Sequence, residues 1–255
     1  MSSTRTTSTT STRAPATGTA PVKVDHRKAL KPLYSATARP ALVDVPPLQY
    51  LMVDGHGDPN TAPEYGEAVQ ALYAVAYSVK FAGRRGGGQD FAVMPLEGLW
   101  WVPDMSMFSV ADRSAWNWTM MIMQSDGVTP QLVEQAHVAA ASKAPAAALE
   151  RLRLDRVNEG RAAQVLHVGP YATEGPTIER LHAFIAEQGL RLVGKHHEIY
   201  LGDPRRTVPE RLRTVIRQPV ASAEETWSAV RRQGDPLGVS GAARAVAGPT
   251  TRRRG

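Results

Sequence analysis

Along residues 48–220 the spacing of apolar side chains switches between two periods, and it does so in the same order twice. Leu48, Tyr50 and Met52 alternate with Gln49, Leu51 and Val53, which predicts a strand stopped by the turn-forming residues 54–60. From Pro63 the spacing changes to three and four through Val69, Leu72, Val75, Ala76 and Val79, the signature of a helix with one buried face. Gly83 and the run Gly86-Gly87-Gly88 end it, and a strand over 90–93, broken by Pro95, continues or pairs with one over 96–102. Trp116, Trp118, Met120 and Ile122 then alternate with Asn117, Thr119, Met121 and Met123 in a further strand. Thr129-Pro130 opens the next helix, the threonine as cap and the proline at the first helical position.

After an Ala/Pro-rich stretch at 144–149 the pattern restarts. Ala163, Val165 and His167 form a strand ending at Gly169-Pro170-Tyr171, and Thr173 precedes a helix that turns Ile178, Leu181 and Ile185 inward and closes at Gly189. A strand over 190–201, a helical turn from Pro209 and a last strand over 213–220 follow. Strand, helix, strand, strand thus occurs twice. By eye, Gly55 or Gly57 lies over Gly169, the Leu72 helix over the Leu181 helix, and residues 96–101 over 197–202, which sets Glu97 on Glu198. Mixed elements with largely consecutive strands predict an α+β fold, helices on one face of antiparallel sheets, with two halves facing each other across a cleft.

Composition narrows the class. The chain has 255 residues, 42% hydrophobic and 21% charged, and no cysteine, so disulfide and thiol chemistry are excluded. No apolar run nears the ~18 residues that cross a bilayer, and no secretory leader is visible, which predicts a cytoplasmic protein. The net charge is +6, but residues 1–22 carry +2 and residues 221–255 carry +3, leaving +1 for the stretch between. That near-neutral stretch argues against direct nucleic-acid binding. Residues 1–22 hold 12 Ser or Thr and read as a disordered tail; 221–255, rich in Gly, Ala, Pro and Arg, read as a second; 23–220 form the domain.

A glutamate inside an aromatic strand is the chemical anomaly, because an unpaired buried carboxylate costs several kcal/mol. Glu97 sits among Leu96, Leu99, Trp100 and Trp101, and Glu198 among His196, His197, Ile199 and Tyr200. In an aromatic cleft such a group should have a raised pKa and serve as acid, base or counter-charge; the alternative is an arginine partner at the rim. Trp100, Trp101, Trp116 and Trp118, with Met120 and its neighbours, suit a pocket for a planar molecule and equally suit a core. His196 shares a strand face with Glu198 and Tyr200, whereas adjacent His197 points the other way, toward the helices. With no cysteine and no histidine pair at helical spacing, a metal site is not expected. The glycine run follows a helix and precedes a strand, the reverse of a phosphate loop, and reads as a turn, as does Asp203-Pro204-Arg205-Arg206.

Residues 195–206, then Pro209-Glu210-Arg211-Leu212 and 215–220, resemble the C-terminal signature of stand-alone GyrI-like small-molecule-binding proteins. Residues 95–101 and Gly169-Pro170-Tyr171 are similar to two further blocks of that family, and the likeness covers about residues 23–220. The resemblance implies a duplicated, SHS2-like module with pseudo-twofold symmetry and a central ligand cleft. Family members bind hydrophobic, often aromatic or cationic compounds; some are effector domains of transcription regulators, some were named for inhibiting gyrase, and a stand-alone group hydrolyses cyclopropanoid DNA alkylators. On that last reading Glu198 is the general base, with Glu97 sharing or replacing it, and Tyr171 orients water or donates to the carbonyl. Trp100, Trp101, Trp116, Trp118, Met120, Tyr50, His196 and Tyr200 then contact the ligand, and no metal or organic cofactor is needed. A non-catalytic sequestering or sensing protein with the same pocket is the alternative.

Overall fold

Residues 22–85, 89–105 and 112–222 are described by the structure, a computed structural model. The expected tails, except Val22, Ala221 and Ser222, and the turn at Gly86 to Gly88 lie outside the described residues. In chain order the elements are β1 (Val22–Val24), α1 (His26–Ala29), α2 (Lys31–Tyr34), β2 (Ala41–Val45), β3 (Leu48–His56), α3 (Pro63–Arg85), β4 (Gln89–Phe91), β5 (Leu96–Trp101) and β6 (Asn117–Gln124). They continue with α4 (Pro130–Ala140), α5 (Ala146–Glu150), β7 (Arg153–Val157), β8 (Gly160–Val168), α6 (Gly175–Glu187), β9 (Leu190–Leu192), β10 (His196–Tyr200) and β11 (Arg213–Ser222). The single strand expected over 190–201 is two, parted by Gly194 at φ +64°, a left-handed conformation that favours glycine. Thr129 caps α4 as expected, its hydroxyl accepting from the Leu132 N–H.

One antiparallel sheet carries the fold, in the order β2-β8-β11-β10-β5-β6-β3-β7, with β9 beside β11; β1 and β4 pair separately. The sets β3, β5, β6 and β8, β10, β11 each place the first strand outermost and the second at the centre. The halves therefore do not face each other. They join side by side through β5 and β10, so any cleft lies on one face of a continuous sheet.

Register fixes what each face carries. Glu198 opposes Gly98 and Ile216, whereas Ile199 opposes Glu97, so alternation sends the two glutamates to opposite faces. The overlay of Glu97 on Glu198 is out by one residue, enough to turn a side chain through the sheet. On the Glu198 face, α3 packs over β3 and β6 through Leu72, Val75 and Val79, and α6 packs over β8 through Leu181 and Ile185. Strands β5 and β10 run between the two helices. Trp118 lies flat across its cross-strand partner Gly55, where a Cβ would stand 2.0 Å from the indole.

On the other face an ionic network is buried beneath α2. His197 bridges two carboxylates, Nε2 to Glu97 Oε2 at 3.0 Å and Nδ1 to Glu159 Oε1 at 2.8 Å. Arg217 donates to Glu159 at 3.0 Å, to Gln164 and to the Leu33 carbonyl, and Tyr34 donates to Glu97 at 2.6 Å. His197 thus faces away from the helices, against expectation, because its partners are there. Burial opposes its charge, yet Glu159 and Glu97 raise it to about 9; Glu159, despite burial, is held at about 2 by His197 and Arg217.

Replacing His197 by Leu leaves Glu97 buried with phenol donors alone and Glu159 with Arg217 alone, and should cost about 3–5 kcal/mol in urea unfolding. The wild-type contribution of His197 is full below its ordinary value of 6.5 and fades as pH rises through about 9, so the variant should lack this alkaline loss of stability.

Candidate functional site

Glu198 stands on β10 in the strip between α3 and α6, its side chain 12% exposed. Tyr200, two residues on and on the same face, donates to Glu198 Oε2 at 2.7 Å and accepts from Trp100 Nε1 at 3.2 Å. His196 Nε2 meets Glu198 Oε1 at 3.2 Å. Rings enclose the group from both sides. Tyr65 of α3 stacks on Trp100 at 6.1 Å and meets Trp118 edge-on, Trp116 meets Trp100 edge-on at 5.4 Å, and Tyr171 meets Tyr200 edge-on at 5.5 Å.

A second carboxyl completes the site. Glu174 precedes α6 but makes no side-chain cap; it turns inward, 5% exposed, beside Glu198 and Thr214. Burial and the Glu198 charge raise it to about 9, so it is neutral at pH 7. Burial also opposes the Glu198 charge, but the hydrogen bonds from His196, Tyr200 and Glu174 hold its pKa below the ordinary value. The raised carboxyl expected in an aromatic setting is therefore Glu174, not Glu198. Tyr171 is pushed up to about 12, by burial first and then by Glu174 and Glu198, and remains a neutral donor.

The structure gathers Glu198, Tyr171, Trp100, Trp116, His196 and Tyr200. Trp118 and Met120 share the face but are fully buried, Trp118 beneath Tyr65 and Met120 beside Gly98. Glu97, Tyr50 and Trp101 fall on the opposite face. Glu97 and Tyr50 belong to the ionic network, and Trp101 lies under Lys195, whose Nζ is 3.3 Å from the ring centroid. Glu97 thus stands where it cannot share the expected role of Glu198. Sequence reasoning missed Glu174, which reads as an ordinary acid at a helix start, and Tyr65, which reads as part of a helix. An apolar groove of about 350 Å³ between α4 and β7 gathers no comparable chemistry, its His137 being bonded to the Leu149 carbonyl.

Among the described residues no group of three His, Asp or Glu is arranged so that it could hold a metal ion, and no helix is long and apolar enough to cross a membrane. The family model of the GyrI-like small molecule binding domain matches residues 39–221. An uncharacterized conserved protein from Listeria innocua is 42% identical, with a TM-score of 0.72 over 78% of this chain and 100% of that one. Two solved structures of hydrolases from the same organism are 41% and 40% identical, with TM-scores of 0.70 and 0.68 at the same coverage. No curated protein matches the chain.

Gly98 opposes Glu198, and a Cβ there would stand 2.8 Å from Trp100 Nε1 and 3.2 Å from the Tyr200 hydroxyl. Gly98→Ala should displace both rings at a cost of about 1–3 kcal/mol, read as a changed near-ultraviolet dichroism and a lowered melting point.

Proposed function

The chain belongs to the GyrI-like small-molecule-binding domain family, and from that premise we propose that the strip between α3 and α6 binds a planar hydrophobic molecule and hydrolyses it. The substrate class is an electrophilic cyclopropanoid genotoxin, and the role is detoxification or self-resistance. Support comes first from Glu198, an ionised carboxylate set among Trp100, Tyr65, Tyr171 and Tyr200 with donors on both oxygens. It comes second from the identity of about 40% to Listeria hydrolases over their whole length.

A cyclopropane conjugated to a dienone is a strained electrophile. Glu198 takes a proton from water as the water oxygen bonds to a ring carbon. The ring C–C bond breaks, its electron pair moves through the dienone to the carbonyl oxygen, and the neutral Tyr171 phenol supplies a proton there. The proton held by Glu198 then returns through solvent to the tyrosinate. Stacking on Trp100 and Tyr65 orients the flat ligand and excludes bulk water.

A second reading, sequestration without turnover, is favoured by the lowered pKa of Glu198, since a persistent anion among rings suits a cation. The two separate on Glu198→Gln, assayed with a cyclopropapyrroloindole-type alkylator by mass spectrometry of the ring-opened product and by tryptophan quenching. A hydrolase keeps its affinity and loses turnover by about 10²- to 10⁴-fold. A sequestering protein gives no product and loses affinity for cations. Hydrolysis by the wild type should hold level from the acid side, where Glu198 stays ionised below its ordinary value of 4.5, up to pH about 9, where Glu174 gains a second negative charge beside it.

A further inference from the structure

Two buried polar atoms beside Glu198, Glu174 Oε1 and Thr214 Oγ1, make no hydrogen bond of normal length and angle in the protein; Thr214 comes near enough to Glu174 to lower its pKa, without reaching that geometry. Thr214 is 0% exposed and opposes Tyr200 across β10 and β11, on the face that carries Glu198. Glu174 approaches from the start of α6 and meets both Thr214 and Glu198. A buried hydroxyl and a buried carboxyl left without partners cost about 1–3 kcal/mol each, and native proteins rarely keep such groups except for a bound molecule or a functional purpose. Glu174 touches both Thr214 and Glu198, so the two unsatisfied atoms lie beside one carboxylate.

We infer that Glu174 and Thr214 form the water subsite of the site, holding the nucleophilic water against Glu198. This rests on the hydrolytic reading for its purpose, though not for its existence. A water molecule has two O–H donors and two lone pairs. Glu198 accepts one O–H and removes that proton in the reaction. Glu174 Oε1, the carbonyl oxygen of a neutral carboxyl, accepts the other. The Thr214 hydroxyl donates to one lone pair. Only one lone pair then remains, and it faces the electrophilic carbon between the rings. Glu174 suits this task because it accepts without competing for the proton, its own being committed to Glu198. The charged and titratable groups around it are Glu198, Tyr171, Tyr200 and Arg113, and none of them displaces the pair from its one-proton state at neutral pH. Both residues are positioning residues, since they act on the water and on Glu198 rather than on the ligand.

The test joins crystallography to kinetics on the full chain. Crystals of the ligand-free wild type should show an ordered water within about 3.2 Å of both Glu174 Oε1 and Thr214 Oγ1. Crystals of the isosteric Thr214→Val should lose it. With the cyclopropapyrroloindole-type alkylator, Thr214→Val and Glu174→Leu should lower kcat by about 10- to 100-fold and leave KM nearly unchanged, and Glu174→Gln, which keeps an acceptor oxygen, should recover part of the loss. An empty position in the wild type, or Thr214→Val turning over at the wild-type rate, overturns the inference while leaving hydrolysis standing. A water present in the wild type and lost from Thr214→Val, with no product from either, upholds the subsite and removes the hydrolytic reading. Should a variant fail to fold, the wild-type crystal alone decides whether the position is occupied.

Discussion

The antiparallel pairing of β5 with β10 sets the terms for everything else in this molecule. It joins the two three-strand sets into one sheet, and its register places Ile199 opposite Glu97 and Gly98 opposite Glu198. Because side chains alternate along a strand, that register assigns the two glutamates to different faces. A slip of β10 by one residue would turn Glu198 toward the ionic network and His197 under the helices.

The two faces treat buried charge in opposite ways. Beneath α2 every carboxylate oxygen has a cation or a phenol, and Glu97, His197, Glu159 and Arg217 form a closed set of two acids and two bases. Such a set adds little net stability over an apolar core of the same shape, but it penalises any arrangement that leaves a member unpaired. Between the helices the carboxyls outnumber the cations. Glu174 and Glu198 share a single proton, which removes the repulsion of two carboxylates buried side by side. One face thereby fixes the register, and the other keeps a carboxyl pair that this register holds in position.

Much of the sheet was legible in the sequence because its strands alternate cleanly and its long helices show one apolar stripe. Leu72, Val75 and Val79, and likewise Leu181 and Ile185, pack where their spacing predicts. The kinship of the chain was legible in residues 195–220, and the match over 39–221 bears it out. Other features escaped for identifiable reasons. β2 and β7 are edge strands with weak alternation, and α1, α2 and α5 are too short for a period to show. The overlay of the halves aligned apolar blocks, but the face of a side chain depends on parity, which a visual match does not test. His197 was sent toward the helices because nothing local announces Glu159, 38 residues away. Glu174 escaped because its neighbours in sequence are unremarkable and its chemistry comes from a strand far along the chain.

The members of the network under α2 lie far apart along the chain. Tyr34 and Glu97 are 63 residues apart, Glu97 and His197 are 100, and Arg217 and Leu33 are 184. Closing loops of that length is slow and costs chain entropy before any contact repays it. No half of the chain can assemble this cluster by itself, since Glu97 lies in the first set of strands and His197 and Arg217 in the second. Until β5 finds β10, these groups remain solvated charges that keep a half-formed chain in water. Once the seam closes they lose that solvent together, and the segment at α2 seals them. The cluster thus serves as a completion mark for folding, one that only the fully joined sheet can satisfy.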